Sequence, residues 1–485
     1  MNLEKQNIDN ILNQQIPLCV DLDGTFLLTD SLLESILGAI KLKPIVLLLI
    51  PFWLLKGRAN LKSQITKFFI PNVETLPIND EVLKFITEQK LKNRKIILTT
   101  ATNIKVAENI VNNYAVFDEF FASSNENNLR ASNKANFLIE KFGEKQFDYI
   151  GNSFDDLKVW QFSNNAILVN PSKNLVKKVQ RINQNIVSIS LNKTTFYDYI
   201  QQIRIHQWLK NILIFLPFLL AHKINLQNLI NSTLAFIAFS FIASFVYIIN
   251  DLFDLESDRR HPTKKYRPLA CGKISISKAF FISLILFIAG SVISIKFLNI
   301  YFISTLAIYL FITTIYTFYV KRIVILDIIT LSLLYTIRLI AGGVSTYIEV
   351  SEWLLGFSLF FFLSLATMKR YTELLIINEQ NKTKTSGRGY SIKDISLIRT
   401  IGLSTGYLSV LIFSLYLNSF KVISLYKNPK ILWLITLSLL YWISRLWLIS
   451  HRGEMNDDPI IFIAKDKISY FIGIIIIILM IWASL

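Results

Sequence analysis

The second part of the chain alternates long apolar runs with short charged loops, and this alternation limits what the chain can fold into. A helix needs about 20 apolar residues to cross the hydrocarbon core of a bilayer. Nine runs of about this length lie at 207–222, 230–250, 277–296, 300–320, 324–344, 353–376, 401–420, 430–449 and 467–485. We therefore expect residues 206–485 to form an all-α membrane domain of nine transmembrane helices.

The chain is strongly basic, with 51 Lys and Arg against 34 Asp and Glu and a net charge of +17. The basic residues collect in alternate loops, as the positive-inside rule describes for cytoplasmic loops. These loops are 251–276, 321–323, 377–400 and 450–466. The charge therefore indicates a membrane topology, with anionic headgroups or phosphorylated substrates as partners rather than nucleic acid. The expected location is a bacterial-type inner membrane, with the active sites on the cytoplasmic side.

The first 190 residues have the pattern of a soluble α/β domain. Three apolar runs end in polar residues: "IPLCVDLDGTFLLTDSL" at 16–32, "KIILTTATN" at 95–103 and "FDYIGNSFDDLKVW" at 147–160. Open α/β sheets bind their ligands at the carboxyl ends of the strands, so these polar ends predict a site. The first 15 residues lack the apolar stretch of a signal peptide, so we expect this domain to stay in the cytoplasm.

The order DxDGT, Ser/Thr, Lys and acidic pair resembles that of the haloacid-dehalogenase phosphohydrolases over about residues 14–175. The resemblance implies a Rossmann-like α/β domain at 1–190 with a helical cap at about 32–80. It also implies that Asp21 is the nucleophile that forms an aspartyl-phosphate and that Asp23 is the general acid and base. Thr100, or alternatively Thr99, and Lys134 would hold the phosphate.

The same resemblance implies a Mg²⁺ ion in this domain, held by Asp21 and Asp156. In the family the last motif often begins with Asp, and here that position is Asn152. Asn offers a carbonyl oxygen without a charge, so it remains a candidate ligand with reduced affinity. A degenerate domain kept as a scaffold is the alternative.

The expected cap contains the apolar run "KPIVLLLIPFWLLKGR", residues 43–58. It is short for a membrane span and is interrupted by Pro51. Its flanking cations and Trp53 favour a helix lying on the membrane surface, while a buried cap core remains an equal alternative. A polar, basic linker at 191–205 then leads into the first predicted span.

A dense cluster of acids and then bases separates two apolar runs in "YIINDLFDLESDRRHPTKKYRPLACG", residues 247–272. Asn250, Asp254 and Asp258 follow each other at intervals of four, which places them on one face of a helix, with Asp251 on its flank. Repelling carboxylates become favourable around a hard cation, and Mg²⁺ is typically bound by carboxylates together with substrate phosphates. The basic residues that would hold the phosphates are Lys264, Lys265 and Arg267.

"NDLFDLESD" is similar to the first aspartate-rich motif of the UbiA-type intramembrane prenyltransferases. The resemblance covers residues 200–485 and implies a ring of helices around a central cavity. Aromatic prenyltransferases of this superfamily carry a second DxxxD motif near the sixth and seventh spans, and this chain lacks it. It has "KRYTELL" at 369–375, "GRGY" at 387–390 and "DDP" at 457–459 instead. These features resemble the branch of decaprenyl-phosphate phosphoribosyltransferases.

That branch moves ribose 5-phosphate from phosphoribosyl diphosphate to a polyprenyl phosphate, and the resemblance implies the same reaction here. The additional 5-phosphate and hydroxyls of such a donor need cationic and hydroxyl partners. The predicted set in the membrane half is Lys210, Lys321, Lys369, Arg370, Tyr371, Arg388 and Tyr390.

Two other functions remain open at this stage. One is a conventional transfer of a polyprenyl group from its diphosphate to an aromatic or other acceptor, and the other is a transporter or receptor with a regulatory head. The fusion itself suggests a further hypothesis, in which the phosphatase domain removes the 5-phosphate from the transferase product.

Overall fold

The computed structural model describes residues 16–123, 128–190, 194–379, 388–455 and 458–485. The chain divides into two compact units. The first, the N-terminal unit, comprises Met1–Ile203 and Ile248–Phe281, and the second, the membrane unit, comprises Arg204–Tyr247 and Ile282–Leu485. The aspartate-rich segment therefore packs with the phosphatase-like part of the chain, although it follows a membrane helix in sequence.

In the described residues the N-terminal unit has six parallel strands: β1 Leu18–Val20, β2 Ile96–Asn103, β3 Glu119–Ser123, β4 Asp148–Gly151, β5 Ala166–Val169 and β6 Ile186–Ile189. Their order in the sheet is β3-β2-β1-β4-β5-β6. Strand order runs in opposite directions on the two sides of β1. In open α/β sheets this switch point is where ligands bind, next to the carboxyl ends of the strands. The predicted Rossmann-like α/β fold is confirmed.

The strands are apolar on both faces because helices cover both sides of the sheet. Leu18 and Val20 point into one core cluster with Ile96. Cys19 points into a second cluster with Leu138 of a covering helix. The helices of this unit that surround the sheet are Asp80–Leu91, Ile104–Asn113, Ser132–Phe142, Leu157–Trp160, Lys173–Val179 and Phe196–Ile203.

A buried ion pair ties the amino end of β4 to the chain before β2. The Arg94 guanidinium donates to Asp148, to the carbonyl oxygen of Ile16 at 2.9 Å and to Gln89 at 3.2 Å. Both charged side chains are completely buried. Arg94→Ala leaves the Asp148 carboxylate buried without its cation, so we expect a loss of about 3–5 kcal/mol in the free energy of unfolding.

Arg130→Ala is the matched control, because Arg130 pairs with Asp155 at an exposed position. We expect it to cost less than about 1 kcal/mol. Limited proteolysis of the purified chain over a urea series measures both effects. Equal sensitivity of the two variants would contradict the role of the buried pair.

The predicted cap consists of three helices, Ser31–Leu42, Val46–Leu55 and Arg58–Phe68, followed by a 3₁₀ turn at Val73–Thr75. Asp30 starts the first helix, because its carboxylate accepts hydrogen bonds from the amides of Leu32 and Leu33. The middle helix, Val46–Leu55, is apolar along its whole length, and most of its side chains are exposed. We call it the apolar cap helix. Its exposure contradicts the alternative in which this run is a buried cap core.

Eight helices in the described residues are long and apolar enough to cross a membrane. They are Leu226–Phe253, Ile276–Phe297, Ile300–Phe318, Leu326–Ser345, Glu352–Glu379, Ile392–Leu417, Pro429–His451 and Lys467–Ser484. Each corresponds to one of the nine predicted spans. Short helices also occur at Leu216–Leu220, Leu255–Arg260, Phe420–Leu425 and Pro459–Ile463.

The first predicted span, 207–222, differs from the expected α-helix. It forms a 3₁₀ helix at Ile205–Phe215 and a short α-helix at Leu216–Leu220. A 3₁₀ helix rises about 2.0 Å per residue and an α-helix about 1.5 Å, so the segment is roughly 30 Å long. That length matches the hydrocarbon core of a bilayer. The apolar run was identified correctly, but its helix type was not visible in the sequence.

Candidate active sites

The three phosphatase-like motifs meet at the switch point of the sheet. Asp21 and Asp23 follow β1 directly, and Asn152 follows β4. The amide of Asp21 donates to the carbonyl oxygen of Ile150 at 3.0 Å, which continues the β1–β4 pairing beyond Val20. Parallel pairing therefore positions the backbone of this site.

A chain of hydrogen bonds connects Asp21 to Asp156. Lys134 Nζ donates to Asp21 Oδ1 at 2.7 Å and to the Tyr149 hydroxyl at 2.8 Å. The same hydroxyl donates to Asp156 Oδ1 at 2.9 Å. The sequence-based prediction did not include Tyr149. Tyr149 lies in β4 on the same face of the sheet as Cys19. Its position two residues before the Gly151–Asn152 turn could have indicated this from the sequence.

Asp21 is a buried carboxyl group close to two other carboxylates, and Lys134 compensates their negative charge only in part. Burial raises the pKa of Asp21 to about 7; Lys134 opposes this shift, and the nearby charges of Asp156 and Asp23 add to it. A divalent cation would relieve the repulsion among the three carboxylates. The residues present thus fit the Mg²⁺ ion that the family resemblance implies, with the substrate phosphate supplying further oxygen ligands.

Asp156 has a structural task in addition to its predicted metal role. Its Oδ2 atom accepts hydrogen bonds from the amides of Asn152 and Ser153 and from the Ser153 hydroxyl, at 2.8–3.1 Å. These bonds fix the turn that carries Asn152. The Asn152 side chain packs directly above Gly24 in the DxDGT loop, so it lies beside the predicted nucleophile loop, as a ligand at this position requires.

Asp23 is held in one orientation by two side chains. Its Oδ1 accepts from the Ser31 amide at 2.8 Å, and its Oδ2 accepts from the Thr102 hydroxyl at 2.7 Å and the Ser31 hydroxyl at 3.1 Å. Ser31 begins the first cap helix. The cap and the carboxyl end of β2 therefore position the predicted general acid.

The geometry favours Thr99 over Thr100 as the phosphate-binding hydroxyl. Val20 pairs with Leu98, so the next residues, Asp21 and Thr99, are neighbours on one face of the sheet. Thr99 Oγ1 is buried beside the Cys19 thiol and has no oxygen or nitrogen partner in the part of the chain that the structure describes. Thr100 Oγ1 instead accepts from the Thr102 amide. Because side chains alternate along the strand, we propose Thr99, the alternative that the sequence offered, and the role of Thr100 stays a prediction.

Gly24 has a backbone that other residues tolerate poorly, with φ +74°. A Cβ atom there would lie 2.1 Å from Asn152 Nδ2. We expect Gly24→Ala to displace Asn152, to destabilise the loop by about 1–2 kcal/mol from backbone strain alone, and to lower the hydrolysis rate of a soluble phosphate ester. A spectrophotometric phosphatase assay measures the change.

Gly143→Ala is the control for backbone strain. Gly143 has φ +94°, but a Cβ atom at this position would make only ordinary contacts of 3.4 Å and longer. We expect it to keep the phosphatase rate of the parent protein. If both alanine variants hydrolyse the ester at the parent rate, the Gly24–Asn152 contact has no part in the site.

Lys62 is a further cation near this site that the sequence-based prediction missed. It comes from the cap helix Arg58–Phe68, and its Nζ donates to the carbonyl oxygen of Ala101 at 2.5 Å. Burial lowers the pKa of Lys62, and the charges of Asp23 and Asp30 partly offset this effect. Lys62 lines a small cleft with, among others, Ser31 and Thr102, which both contact Asp23. The cleft therefore lies beside the predicted general acid.

The aspartate-rich segment does not form one continuous helix. The long helix ends at Phe253, and a second helix runs from Leu255 to Arg260. Asp254 lies between them with φ −102° and ψ 11°. The helical hydrogen bonding nevertheless continues across Asp254, since its amide donates to the carbonyl oxygen of Asn250 at 2.9 Å and the Asp258 amide donates to that of Asp254 at 2.8 Å. The three residues therefore keep the spacing of one helical face, although the helix is interrupted at Asp254. The roles of the three residues as ligands stay predictions.

Two carboxylates of this segment converge on one cation. Arg267 Nη1 donates to Asp258 at 2.5 Å and to Asp251 at 3.2 Å, and both acids are largely buried. Within the described ranges no group of three or more His, Cys, Asp or Glu side chains is arranged to hold a metal ion. The pair nevertheless fits Mg²⁺, which commonly uses one or two carboxylates and completes its shell with substrate phosphates. Lys264 is half-buried and Lys265 is exposed beside them.

The first cap helix holds the aspartate-rich segment through two ion pairs. Arg259 donates to both oxygens of Glu34, at 2.6 and 3.2 Å, and both side chains are less than one tenth exposed. Lys41 Nζ donates to the carbonyl oxygen of Phe253 at 2.6 Å and to Asp254 Oδ1 at 3.2 Å. The predicted cap thus contacts Asp254, one of the predicted metal ligands, and Arg259 of the same segment.

We expect Glu34→Ala to loosen the aspartate-rich segment, because it leaves the Arg259 guanidinium buried without its anion. Hydrogen exchange of the amides at 255–271 should become faster, and the rate of the transfer reaction should fall. The control is Glu256→Ala, which removes an exposed pair with Arg260. Unchanged exchange in the Glu34 variant would show that the pair does not hold the segment.

In the membrane unit, two predicted phosphate-binding lysines share one carboxylate. Lys210 Nζ and Lys369 Nζ each donate to Asp458 Oδ2 at 3.2 Å. Burial alone would raise the pKa of Asp458, but Lys369 and Lys210 outweigh it and hold the pKa below its usual value. These three side chains contribute two positive charges and one negative charge, and the Lys369 side chain is 30% exposed. Asp457, the first residue of "DDP", lies outside the described residues.

The Arg370 guanidinium is buried and fully paired. It donates to both oxygens of Asp327 and to both of Glu373, and Nη2 also approaches the Tyr316 hydroxyl. Arg388 pairs with the same Glu373. These four side chains contribute two positive and two negative charges, and the predicted contact of Arg370 with phosphate stays a prediction.

The remaining predicted residues also have defined places. The Tyr371 ring is buried in the hydrophobic core and its hydroxyl contacts His451 Nδ1 at 2.8 Å, so its predicted substrate contact stays a prediction. The buried Tyr390 hydroxyl accepts from the amide of Ile325 at 3.1 Å and fixes the loop before Leu326–Ser345. Lys321 is half-buried in the 3₁₀ turn Val320–Arg322. Gly387 of "GRGY" lies outside the described residues.

Comparison with known proteins decides the family of the membrane part. The model of the UbiA prenyltransferase family matches residues 212–475. The chain belongs to the UbiA prenyltransferase family. Together with the eight apolar helices, this membership makes the chain an integral membrane protein. In this UbiA-family chain the N-terminal domain has a parallel, Rossmann-like α/β sheet with the motif residues at its switch point, which agrees with the resemblance to the haloacid-dehalogenase phosphohydrolases.

Some relatives of this UbiA-family chain match nearly its whole length, and others match only part of it. The uncharacterized protein y4nM of Sinorhizobium fredii is 36% identical over 468 residues, which cover 96% of this chain and 90% of the relative. The nodulation protein NoeC of Azorhizobium caulinodans is 34% identical over 279 residues, 56% of this chain and 89% of the relative. A decaprenyl-phosphate phosphoribosyltransferase of Corynebacterium glutamicum is 36% identical over 183 residues, 36% of this chain and 54% of the relative.

Proposed function

We propose that the chain transfers a 5-phosphoribosyl group from phosphoribosyl diphosphate to a polyprenyl phosphate, and that its phosphatase domain then removes the 5-phosphate. The observation that carries the transfer is the cationic group of Lys210 and Lys369 around Asp458. Lys369 belongs to "KRYTELL", the segment in which aromatic prenyltransferases of the superfamily have a second acidic motif. The similarity to a decaprenyl-phosphate phosphoribosyltransferase supports the same conclusion.

In the proposed transfer, the bond from the anomeric carbon of ribose to the diphosphate breaks, and the electron pair leaves with the diphosphate. An oxygen of the lipid phosphate forms the new bond to that carbon. Because this oxygen is already ionised, the step needs no general base. The transition state has the oxocarbenium character of other glycosyl transfers.

This chain's residues bind and neutralise the charges of the reactants. Asp251 and Asp258 would hold Mg²⁺, with Asn250 and Asp254 as further predicted ligands; when bound, the ion supplies positive charge to the diphosphate. Lys264 and Lys265 are proposed to neutralise the departing diphosphate, and Lys210 and Lys369 to hold the 5-phosphate. Preorganised charges of this kind often provide the largest part of the rate acceleration.

In the proposed hydrolysis, the Asp21 carboxylate attacks phosphorus while Asp23 gives its proton to the departing ribose oxygen. Asp23 then takes a proton from the water that attacks the aspartyl-phosphate, and phosphate is released. Lys134 and Thr99 are proposed to hold the phosphoryl oxygens. Asp21, Asn152 and Asp156 would hold Mg²⁺, which when bound offsets the negative charge of the carboxylates and phosphate. Hydrolysis makes the preceding near-reversible transfer run forward.

Donor binding tests the transfer. We expect phosphoribosyl diphosphate with Mg²⁺ to raise the unfolding temperature of the purified chain, because a ligand at 100 times its Kd adds about 2.7 kcal/mol of stability. Geranyl diphosphate should stabilise it less. Lys369→Ala should reduce the response to phosphoribosyl diphosphate, whereas Lys84→Ala, in an exposed pair with Glu81, should not. Stabilisation by geranyl diphosphate alone would contradict the proposal.

The second candidate is transfer of a polyprenyl group from its diphosphate to an aromatic or other acceptor. A digeranylgeranylglyceryl phosphate synthase of Sulfurisphaera tokodaii, 40% identical over 104 residues, is the observation that favours it. This match covers 21% of the chain and 36% of the relative. The donor-binding measurement distinguishes the two candidates directly.

We also propose that the N-terminal domain and both sites face the cytoplasm, as the distribution of basic loops predicts. A single cysteine in place of exposed Lys84, in a Cys271→Ser background, reports the side of the membrane. We expect an impermeant maleimide to label it in inverted vesicles and not in intact spheroplasts. Labelling in spheroplasts would place the domain outside.

A further inference from the structure

The apolar cap helix, Val46–Leu55, exposes more apolar surface than a soluble cap would. Leu47, Leu48 and Phe52 are 59–65% exposed and Leu55 is 86% exposed, while Val46 is buried. At 100° per residue, the exposed positions cover an arc of about 160°. No charged residue interrupts this arc, since the sequence is VLLLIPFWLL. A contiguous patch of this kind indicates a binding surface.

The width of the arc and the charges at its ends identify the occupant. A helix at a membrane interface buries its whole apolar face in the boundary between headgroups and acyl chains, and the wide apolar arc suits such burial. Lys43 before the helix and Lys56 after it are both exposed, so their charges suit anionic headgroups. Trp53 adds an interfacial side chain. The helix has 10 residues and is about 15 Å long, too short to cross the hydrocarbon core.

The apolar cap helix packs against the helix that lines the cleft beside Asp23. The Trp53 ring stacks on Phe68 with a centroid distance of 5.7 Å. Asn60 Nδ2 donates to the carbonyl oxygen of Trp53 at 3.3 Å. Both partners belong to the helix Arg58–Phe68, which also carries Lys62 to the end of β2 and lines the cleft. A lipid surface that binds the apolar cap helix would therefore also restrict the position of the helix Arg58–Phe68 beside the cleft.

We propose that the apolar cap helix inserts into the lipid interface, and that the phosphatase domain consequently acts on a phosphate monoester carried by a membrane lipid. This proposal rests on the proposed phosphatase activity and adds how its site reaches a substrate carried by the membrane. The chain is already anchored by its transmembrane helices, so insertion of the cap helix loses little translational entropy. The alcohol that leaves is then part of a lipid headgroup, and the released phosphate enters water.

Fluorescence quenching in lipid nanodiscs tests the insertion on the full chain. Leu48→Cys in the Cys271→Ser background takes an environment-sensitive dye, since Cys19 is buried. We expect lipids with a nitroxide near the headgroup to quench this dye strongly and aqueous iodide to quench it weakly. A dye on Lys84→Cys, on the exposed side of Asp80–Leu91, should show the opposite behaviour. Iodide quenching equal at both positions, or protection from both quenchers, would overturn the proposal.

Activity of a double variant tests the substrate class separately. We expect Leu48→Glu with Phe52→Glu to lower hydrolysis of a lipid-borne phosphate monoester in vesicles at least tenfold, while a soluble ester is hydrolysed at the parent rate. Equal rates on the lipid ester would overturn the link between insertion and catalysis. If the parent protein hydrolyses neither ester, the proposed phosphatase function fails, and the quenching result stands independently.

Discussion

Asp258→Asn should reduce the transfer of phosphoribosyl groups at least about 100-fold, the effect of removing one preorganised charge from a reaction centre. Asp258 and Asp251 are the two carboxylates that converge on Arg267 Nη1, at 2.5 and 3.2 Å. The substitution keeps the shape of the side chain and removes its charge. It therefore weakens Mg²⁺ binding without creating a cavity in the segment.

Two readouts separate this effect from misfolding. Ribose transfer from labelled donor to lipid gives the rate, and the shift in unfolding temperature on adding Mg²⁺ with phosphoribosyl diphosphate gives binding. The phosphatase rate on a soluble ester should stay at the parent value. Glu256→Gln is the control, because Glu256 makes an exposed pair two residues earlier. Unchanged turnover in the Asp258 variant would remove this residue from the site.

Asp21→Asn should abolish hydrolysis of phosphate esters, with a loss of at least about 1,000-fold, since the nucleophile itself is removed. Asn cannot form an aspartyl-phosphate, but it can keep a hydrogen bond to Lys134, which lies 2.7 Å from Asp21 Oδ1. The transferase rate should remain at the parent level. Lipid product should then accumulate with its 5-phosphate.

Asp155→Asn is the matched control for that variant. Asp155 belongs to the same sequence motif as Asp156 but makes an exposed pair with Arg130. We expect it to hydrolyse esters at the parent rate. Retention of ester hydrolysis by the Asp21 variant would contradict the assignment of the nucleophile, and loss of hydrolysis by both variants would show that the motif tolerates no change.

The sequence was informative where one local pattern dictates one outcome. The apolar run before Asp21 predicted a buried strand, and the DxDGT turn placed its acids at the carboxyl edge of the sheet. Long apolar runs likewise predicted eight helices that the structure contains. The segment 205–220 was harder, because a run of apolar residues does not distinguish a 3₁₀ helix from an α-helix.

Side-chain roles depended on partners that are distant in sequence. Arg370 was expected to bind phosphate, but Asp327, 43 residues earlier, and Glu373 occupy its guanidinium. Spacing could not show this pairing, because a charged residue in a span fits either an ion pair or a ligand site. The same limit applied to Thr99 and Thr100, since adjacent strand residues face opposite sides and only the register with β1 decides between them.

The interruption at Asp254 shows a third limit. The spacing of four residues agrees with the hydrogen bonds from Asp254 to Asn250 and from Asp258 to Asp254, but it does not reveal that the helix is interrupted at Asp254. Here Lys41 of the cap bonds to the last helical carbonyl oxygen, of Phe253, and to Asp254 itself. The residue that contacts the end of this helix, Lys41, is 213 residues away from Asp254 in the sequence, so local spacing could not reveal it.

The mass of the lipid product tests the central claim most directly. The full chain and its Asp21→Asn variant are incubated with Mg²⁺, phosphoribosyl diphosphate and a polyprenyl phosphate, and the extracted lipid is weighed by mass spectrometry. We predict a polyprenyl-phosphoryl ribose without a 5-phosphate from the parent protein, and the same lipid with one additional phosphate from the variant. Unmodified polyprenyl phosphate from both proteins would contradict the transferase, and identical phosphorylated products would contradict the role of the phosphatase domain.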